Sequence, residues 1–355
     1  MFTRSALIGC AVVVAVLLAG VSQAAVTMGS PYNIAGTGTV TGSDNGSGGT
    51  YANWTSGNTR TSHFQSAPSA NVLWREETWA VAQTVGAFLF DATDRAFGGD
   101  IWVDMIGDGS YTLVTSFVVD SPNTTKLVDV SDILGSKGVY GVKVVINKSD
   151  GEIRDIGAAA NYYQIGEMAI LSAPIENVAL GATTIYTPGS QRTSSVTDMS
   201  MSTSWRAAAG ATENWVGILW DEAVQVDGLR VTAATDHVMY TWEDYFVQVT
   251  YDGVNWVPVL DGEGEPFQAH YSMTNWTPWN LCWIDFGQTL TVMGVRLYGG
   301  SELDDEGYVI GDGNNPGPRN GGLIVGDILA YRVVPEPATM SLLALGGLAM
   351  LRRRR

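Results

Sequence analysis

The sequence predicts an all-β protein, built as two tandem jelly-roll-type β-sandwich domains between two terminal segments that lie outside the fold. Only 15% of the 355 residues are charged, whereas the chain holds 42 Gly, 12 Trp and 14 Tyr. Many turn-forming glycines and strand-favouring aromatics with little charge are typical of β-rich proteins. The apolar share of 45% can fill a core, so we expect a folded chain.

The N-terminus has the pattern of a secretory signal peptide. Arg4 precedes an apolar run over residues 6–20, and small residues lead up to Ala24. A basic start, an apolar centre and a small-residue end form the signal that the export machinery recognises and removes. We predict that residues 1–24 are removed after Ala24, with cleavage after Ala25 as the alternative.

Strand-like alternation is clearest in residues 245–251. Aromatic and β-branched side chains there fall at every second position, as expected for a strand with one buried face. Asp252 and Gly253 follow, and Trp256 begins a second apolar run. This order predicts a hairpin. Outside the termini no long amphipathic helix is predicted.

The strand-like segments of the middle region occur as two copies in the same order. The matches are residues 74–75 with 205–206, Trp79 with Trp215, 100–109 with 244–253, 141–144 with 294–297, and 165–168 with 325–328. The offset between matched residues only grows, as duplication followed by loop insertion would produce. We place the first sandwich at residues 25–173 and the second at 174–333.

Charge and cysteine content exclude several classes of function. The net charge is −17, and removing Arg4 and the four terminal arginines leaves 14 basic against 36 acidic residues. Such a chain is repelled by phosphate backbones, so nucleic acid is excluded as a partner. Cys10 lies in the leader, which leaves Cys282 without an intrachain partner. We expect Cys282 to be a buried, inert thiol in a strand.

The last 22 residues, 334–355, form a second terminal signal. Pro335, Glu336 and Pro337 precede an apolar stretch at 340–351, and the chain ends with the arginines Arg352, Arg353, Arg354 and Arg355. The stretch is shorter than the ~20 residues of a spanning helix, and the arginines would stay on the cytoplasmic side. A plain tail anchor is the alternative to a transient one that is cut.

This terminus resembles the PEP-CTERM sorting signal, in which a motif, a short hydrophobic segment and an arginine cluster follow in order. The resemblance implies that an exosortase-type enzyme processes the chain after transient insertion in the inner membrane. It also implies delivery to the outer cell surface or the exopolysaccharide matrix. Pro335, Glu336 and Pro337 would be the residues that the enzyme recognises.

The second copy resembles the discoidin, or coagulation factor 5/8 type C, family over residues 175–333. The segments that carry the resemblance are 177–181, 214–220, the strand 224–231, 246–253 with Trp256, 295–298 and 325–329. The resemblance implies a galactose-binding-like β-sandwich whose inter-strand loops at one end bind ligand. The first copy matches the second through residues 71–171 without a convincing opening segment.

The family resemblance also implies a structural Ca²⁺ near the paired chain ends. The matching positions are Asp327 in the last strand and Asp198 in an early loop, with Glu167 as the counterpart in the first copy. Ca²⁺ takes six to eight oxygen ligands, so carboxylates and loop carbonyls suit it. The alternative is that Asp198 is a turn residue and Asp327 a hydrogen-bonding acid at the rim.

Two loop segments of the second copy have the composition of a sugar site. Aromatic rings stack on the apolar faces of pyranose rings, and polar neighbours bind the hydroxyls. The candidate residues are His237, Tyr240, Trp242, Trp276 and Trp279. The alternative is that the tryptophans fill the core, where Trp is usually well buried.

Catalytic motifs are absent from the sequence. The chain has three His and no nucleophile elbow, phosphate-binding loop, dinucleotide fingerprint or zinc spacing. We therefore expect a non-catalytic surface or matrix protein that binds polysaccharide. A structural matrix component without a glycan site is the first alternative. A polysaccharide-degrading enzyme is the second, because a catalytic acid pair could be present among the 36 acids.

Overall fold

The computed structural model of the chain describes residues 26–42, 72–92, 97–147, 165–190, 192–193, 195–206, 213–232, 244–270, 281–299 and 324–334. Among these residues there are twenty strands and one four-residue helix, which confirms the predicted all-β class. The predicted signal peptide and, beyond Val334, the predicted sorting segment lie outside the described residues.

The first half contains two antiparallel sheets. Its elements are β1 (Thr27–Met28), β2 (Thr39–Gly42), β3 (Val72–Gln83), β4 (Ala87–Ala92), β5 (Phe97–Asp104), β6 (Thr112–Val119), β7 (Thr124–Asp129), helix α1 (Ser131–Leu134), β8 (Val139–Asn147) and β9 (Ile165–Leu171). One sheet has the order β2-β3-β8-β5-β6 and the other β7-β4-β9. Side chains from both sheets, including Phe90 and Phe117, whose rings stack with centroids 4.1 Å apart, fill one core between them.

The second half has longer strands. Its elements are β10 (Ile175–Asn177), β11 (Thr183–Tyr186), β12 (Arg192–Thr193), β13 (Trp205–Arg206), β14 (Asn214–Thr232), β15 (Asp244–Thr250), β16 (Trp256–Pro258), β17 (Gln268–His270), β18 (Leu281–Gly299), β19 (Ile324–Val325) and β20 (Asp327–Val333). The main path of its large sheet is β10-β20-β14-β18-β15-β16, and β12-β13-β19 form a small one.

Strands β14 and β18 pair along most of their 19-residue lengths and build both layers of the second sandwich. Their pairing shifts register between Leu219 and Val224 and again between Val226 and Gly228. At one end of this pair β18 also pairs with β15, and at the other end β14 also pairs with β20. Residues from both ends lie in a single core. The sheet therefore bends at the register shifts and closes over itself.

The two halves pair their strands in the same way. In the first half β8 lies between β3 and β5, and β4 lies between β7 and β9. In the second half β18 lies between β14 and β15, while the far end of β14 lies between β18 and β20. Residues 84–86 and helix α1 interrupt the first half where β14 and β18 run on. The order of pairing is thus kept, and the first half divides each long strand into two.

The strand register corrects three of the sequence matches. In the match of 100–109 with 244–253, the counterpart of Gln248 is Trp102 rather than Asp104, because Trp102 is opposite Lys143 and Gln248 is opposite Arg296. Lys143 and Arg296 occupy equivalent places, because the matched segments 141–144 and 294–297 lie in the equivalent strands β8 and β18. Val145 and Tyr298 each follow these residues by two positions, and they are opposite Trp74 and Trp215, respectively.

The structural counterpart of Trp215 is therefore Trp74, and the matches of Trp79 with Trp215 and of Trp74 with Trp205 are wrong. Trp79 points into the core of the first half, whereas Trp215 is partly exposed. The matches followed residue identity, which does not encode strand pairing.

Other local predictions are confirmed. In β15 Tyr245, Val247 and Val249 are buried and alternate with partly exposed residues, and β16 pairs with β15 after the turn at Asp252. Cys282 is a buried free thiol in β18, and burial raises its pKa to about 11.

The halves contact each other through β4 and β9 of the first half and β18 and β20 of the second. Leu89 and Leu171 from the first half lie in one apolar cluster with Trp283, Leu329 and Tyr331 from the second. Strand β1, which lies in the predicted first domain, pairs with β18 of the second half. The two sandwiches are consequently joined by a buried interface as well as by a strand.

Candidate functional site

The sugar-binding residues predicted from sequence lie outside the described part of the chain. They are His237, Tyr240, Trp242, Trp276 and Trp279, in the segments 233–243 and 271–280. The sorting motif and the terminal arginine cluster also lie outside it. These residues stay predictions.

The two acids predicted to bind calcium in the second half lie near each other. Asp327 is buried, and its Oδ1 accepts a hydrogen bond of 3.0 Å from the Met199 N–H. Its Oδ2 has no hydrogen-bond partner among the described residues. Burial raises the pKa of Asp327 to about 8, Arg230 opposes this shift, and the nearby Asp198 adds to it. A buried carboxyl with a vacant oxygen is a suitable ligand for a cation.

The rest of the predicted calcium set gives weaker support. The exposed Asp198 accepts hydrogen bonds from the Thr203 hydroxyl and the Ser200 N–H, as a turn residue does. Glu167 is buried in β9. Within the described ranges, no three His, Cys, Asp or Glu side chains gather into a group that could hold a metal. Any Ca²⁺ here would need carbonyl or water oxygens to complete its shell.

A fully buried ion pair crosses the interface between the halves. Arg230 of β14 contacts the carboxylate of Asp91 in β4, and neither side chain is exposed. The Thr125 hydroxyl donates to Asp91 Oδ1 at 2.6 Å, and the Arg230 guanidinium lies 5.7 Å from the Trp283 ring centroid. Because solvent does not reach this pair, it serves to join the halves rather than to bind a ligand.

A groove of about 1010 Å³ also lies between the halves. Lys126 and Asp129 line it from β7, and Glu176 and Arg332, which form an ion pair, line it from β10 and β20. It extends to Val334, the residue before the predicted sorting motif. Its charged side chains are of both signs, so it favours neither cations nor anions.

The outward face of the second sandwich carries a cluster of aromatic rings around one arginine. The Cζ atom of Arg296 in β18 lies 4.6 Å from the Trp256 ring centroid, 5.1 Å from that of Trp215 and 5.5 Å from that of Tyr298. Its Nε donates a 2.7 Å hydrogen bond to Gln248 Oε1. All five side chains are partly exposed. We refer to these five residues as the arginine platform.

Strand pairing explains why these side chains meet. Trp215 and Tyr298 are opposite each other on β14 and β18, and Gln248 is opposite Arg296 on β15 and β18. Positions that differ by two along a strand share a face, so Arg296 and Tyr298 project together. Burial among the rings lowers the pKa of Arg296, although an arginine stays charged at any physiological pH.

The first half has a lysine platform at the equivalent place. Lys143 Nζ lies 4.4 Å from the Trp74 ring centroid and 5.8 Å from that of Tyr111. It also forms a 3.4 Å ion pair with Glu76 Oε2. Both halves thus place a cation against aromatic rings on the outer sheet face, within the ~6 Å at which a ring attracts a cation.

Sequence reasoning did not identify the arginine platform. It matched segment 294–297 to 141–144 as a mark of duplication and predicted a strand with alternating faces at residues 245–251. The contacts of Trp215 with Arg296 required the pairing of β14 with β18, two strands far apart in sequence. The sequence signal that could have identified the platform is the presence of aromatic residues, such as Trp215 and Tyr298, at the outward positions of strands whose inward positions are apolar.

Comparison with known families confirms the nature of the C-terminus. Residues 333–355 match the PEP-CTERM protein-sorting motif. The motif indicates an exported protein directed to the cell surface and implies processing by an exosortase. No curated protein matches the chain. No helix among the described residues is long and apolar enough to cross a membrane.

Several solved structures are similar to the chain. The f-lectin (fucolectin) from the serum of striped bass, Morone saxatilis, is 12% identical, with 85% of this chain and 98% of that chain covered and a TM-score of 0.30. The CBM32-1 and CBM32-2 domains of ZmpB from Clostridium perfringens are 8% identical over 87% and 100%, also with a TM-score of 0.30. At these scores nothing about a ligand of this chain follows from the likeness.

Proposed function

We propose that this chain is a non-catalytic polysaccharide-binding protein, which an exosortase releases at the outer cell surface or into the extracellular matrix. The observation that carries binding is the arginine platform. Its partly exposed Trp215 and Trp256 rings can stack on pyranose faces, and Gln248 and Arg296 can bind hydroxyls. A few polar groups set among aromatic rings are typical of ligand sites.

The non-catalytic part of the proposal is supported by the arginine partners of three acids, whereas Asp327, whose pKa is raised, is assigned to Ca²⁺ instead. Asp91 is paired with Arg230, and Glu77 is paired with Arg75. In the groove between the halves Glu176 is paired with Arg332. A glycoside hydrolase needs one carboxyl free to donate a proton and a second opposite it. Burial raises the pKa of Asp91, but both of its carboxylate oxygens are already engaged, Oδ1 by Thr125 and Oδ2 by Arg230, so it has no oxygen left for a substrate.

Binding is tested by affinity electrophoresis of the full-length protein in gels that contain soluble polysaccharides. We expect Trp256→Ala and Trp215→Ala each to reduce retardation, because each removes a stacking surface. Val81→Ala is the control, since Val81 is an exposed apolar residue of the first half, far from the platform in the strand order. Equal retardation of all variants would contradict a role for the platform. Absence of retardation in every polysaccharide would favour the structural matrix component.

The proposed export route predicts that the mature protein lacks its tail. In cells with an exosortase-type enzyme, we expect surface protein to begin near Ala25 and to end before residue 340. Glu336→Ala should keep the tail and stay with the membrane fraction. Mass spectrometry of the terminal peptides measures both ends. Surface protein that still carried Arg352 would contradict processing.

The proposal includes one structural Ca²⁺ in the second half. It rests on Asp327, whose buried Oδ2 lacks a hydrogen-bond partner among the described residues, and on the neighbouring Asp198. The ion would neutralise Asp327 and hold the loop before β13 against β20.

A further inference from the structure

We infer that the arginine platform selects acidic saccharides, with Arg296 binding the carboxylate of a uronic acid unit while the neighbouring rings support the sugar. This inference rests on the proposed polysaccharide binding and adds the class of ligand. It assigns to the outer sheet face a role separate from that predicted for the loops at 233–243 and 271–280.

The charge of Arg296 is not neutralised by any carboxylate in the described part of the chain. Its Nε is used by Gln248, and the described part of the chain gives its two η nitrogens no hydrogen-bond partner. Glu213 attracts the guanidinium from a distance, but no described carboxylate lies within ion-pair distance of it. An arginine in this state can offer two parallel N–H donors to an incoming carboxylate.

The lysine platform differs from the arginine platform in the residue that lies opposite the cation. Glu76 lies directly opposite Lys143 on β3 and β8, and it neutralises that lysine. Gly217 lies at the equivalent place opposite Arg296 on β14 and β18. Glycine therefore removes the carboxylate that would otherwise compete with a ligand. A Cβ at Gly217 would also collide with the Val295 carbonyl oxygen and the Arg296 side chain.

Three aromatic rings surround the Arg296 guanidinium and affect how strongly it binds an anion. Rings on three sides reduce the access of water to the Arg296 guanidinium and strengthen a hydrogen-bonded ion pair formed there. The chain as a whole carries a net charge of −17 and repels anions at long range. Salt near 0.1 M screens charges beyond ~10 Å, whereas a direct contact is screened less. Recognition of an acidic sugar would therefore depend on this local contact.

The experiment compares polygalacturonate with its methyl ester, which keeps the pyranose chain but removes the charge. Titration calorimetry of the full-length protein in 0.1 M salt is expected to show tighter binding of polygalacturonate. Arg296→Gln should weaken that binding about tenfold or more, as expected for the loss of hydrogen bonds to a charged group. It should weaken binding of the methyl ester far less, because only contacts with hydroxyls are lost there, and the effect of Arg296→Lys on polygalacturonate should fall between.

Two variants of the first half act as controls. Lys143→Gln should not change polygalacturonate binding, because Lys143 is already paired. Glu76→Gln should free Lys143 and create a second, weaker site for polygalacturonate. The calorimetric stoichiometry of polygalacturonate binding should then increase. If Arg296→Gln did not fold, the Glu76→Gln result would decide, and the absence of any gain would overturn the inference.

The remaining outcomes separate the two proposals. Binding of both polymers with no effect of Arg296→Gln, or tighter binding of the methyl ester, would overturn the acidic selectivity and leave polysaccharide binding intact. Binding of neither these polymers nor any neutral polysaccharide would overturn both.

Discussion

The two sandwiches pair their strands in the same order, but equivalent inward positions carry different chemistry. In the second half Val216 and Ile218 of β14 lie in the apolar core. Their counterparts in β3 are Arg75 and Glu77, which form a buried 3.0 Å ion pair. These equivalent positions thus keep the inward direction of the side chain, while the residue type differs.

The segment before β2 explains the polar pair of the first half. Glu77 accepts hydrogen bonds of 2.9 Å from the Gly36 and Gly38 N–H groups, so it holds this segment against the sandwich. In the second half the opening segment after β10 is held by β14, where the Trp220 indole donates a 2.7 Å hydrogen bond to the Val178 carbonyl. The covering segments differ, so a different side chain fixes each one, Glu77 in the first half and Trp220 in the second.

The interface between the halves shows the same contrast. Leu89 of β4 and Arg230 of β14 are equivalent in register, since Leu89 is opposite Ala169 and Arg230 is opposite Leu329. An apolar residue in one half therefore faces the interface where the other half has a charge. Asp91 provides the compensating charge across the interface.

The largest effect is expected from Arg230→Leu, which gives the second half the apolar residue of the first. It leaves Asp91 buried without a counter-charge, which typically costs about 3–5 kcal/mol. The free energy of unfolding in urea, followed by tryptophan fluorescence, measures the loss. The double variant Asp91→Leu/Arg230→Leu should recover part of it.

Glu176→Gln is the matched control for Arg230→Leu. Its partner Arg332 is 39% exposed and Glu176 is 50% exposed, so solvent screens the pair. Loss of an exposed pair costs at most about 1 kcal/mol. If Arg230→Leu cost no more than Glu176→Gln, the buried pair would not be what joins the halves.

A smaller effect is expected from Glu77→Gln in the first half. The amide can still accept one hydrogen bond from the 36–38 segment but no longer balances Arg75. We expect a loss of about 1.5–3 kcal/mol, the range for a charged hydrogen bond. Ile218→Val at an equivalent position of the second half should cost only about 0.5–1.5 kcal/mol. Equal losses would show that the ion pair adds nothing beyond packing.

The last effect builds up gradually with pH and concerns Asp327, the counterpart of Glu167. Its pKa is raised from 3.8 to about 8, so the folded chain keeps a proton that the unfolded chain releases above pH 4. Deprotonation therefore favours unfolding. In EDTA, stability should fall as the pH rises from 4 to 8, by at most ~1.4 kcal/mol per pH unit.

Asp327→Asn should remove this pH dependence, because the amide does not titrate. Adding Ca²⁺ at pH 8 should raise the melting temperature of the unmodified protein and leave that of Asp327→Asn unchanged. A pH profile that is the same in both proteins would contradict the raised pKa of Asp327. A melting temperature insensitive to Ca²⁺ would contradict the proposed ion.

The sequence by itself determined the features that depend on local pattern. Alternation identified the faces of β15, Asp252 and Gly253 identified the hairpin, and the position of the free Cys282 in a strand predicted its burial. The terminal motif at Pro335 to Pro337 was also legible, because an enzyme must recognise it as a short linear segment. All of these are set by residues within about ten positions of one another.

Tertiary structure alone decided which residues meet across strands. Trp215, Gln248 and Arg296 are separated by dozens of residues, and only the pairing of β14, β15 and β18 brings them together. The same holds for Asp91 and Arg230, on opposite sides of the interface. Matching by residue identity paired Trp79 with Trp215, although the two point to opposite faces of their strands, as any odd shift of register produces. Register depends on the whole sheet and its core, which no local pattern specifies.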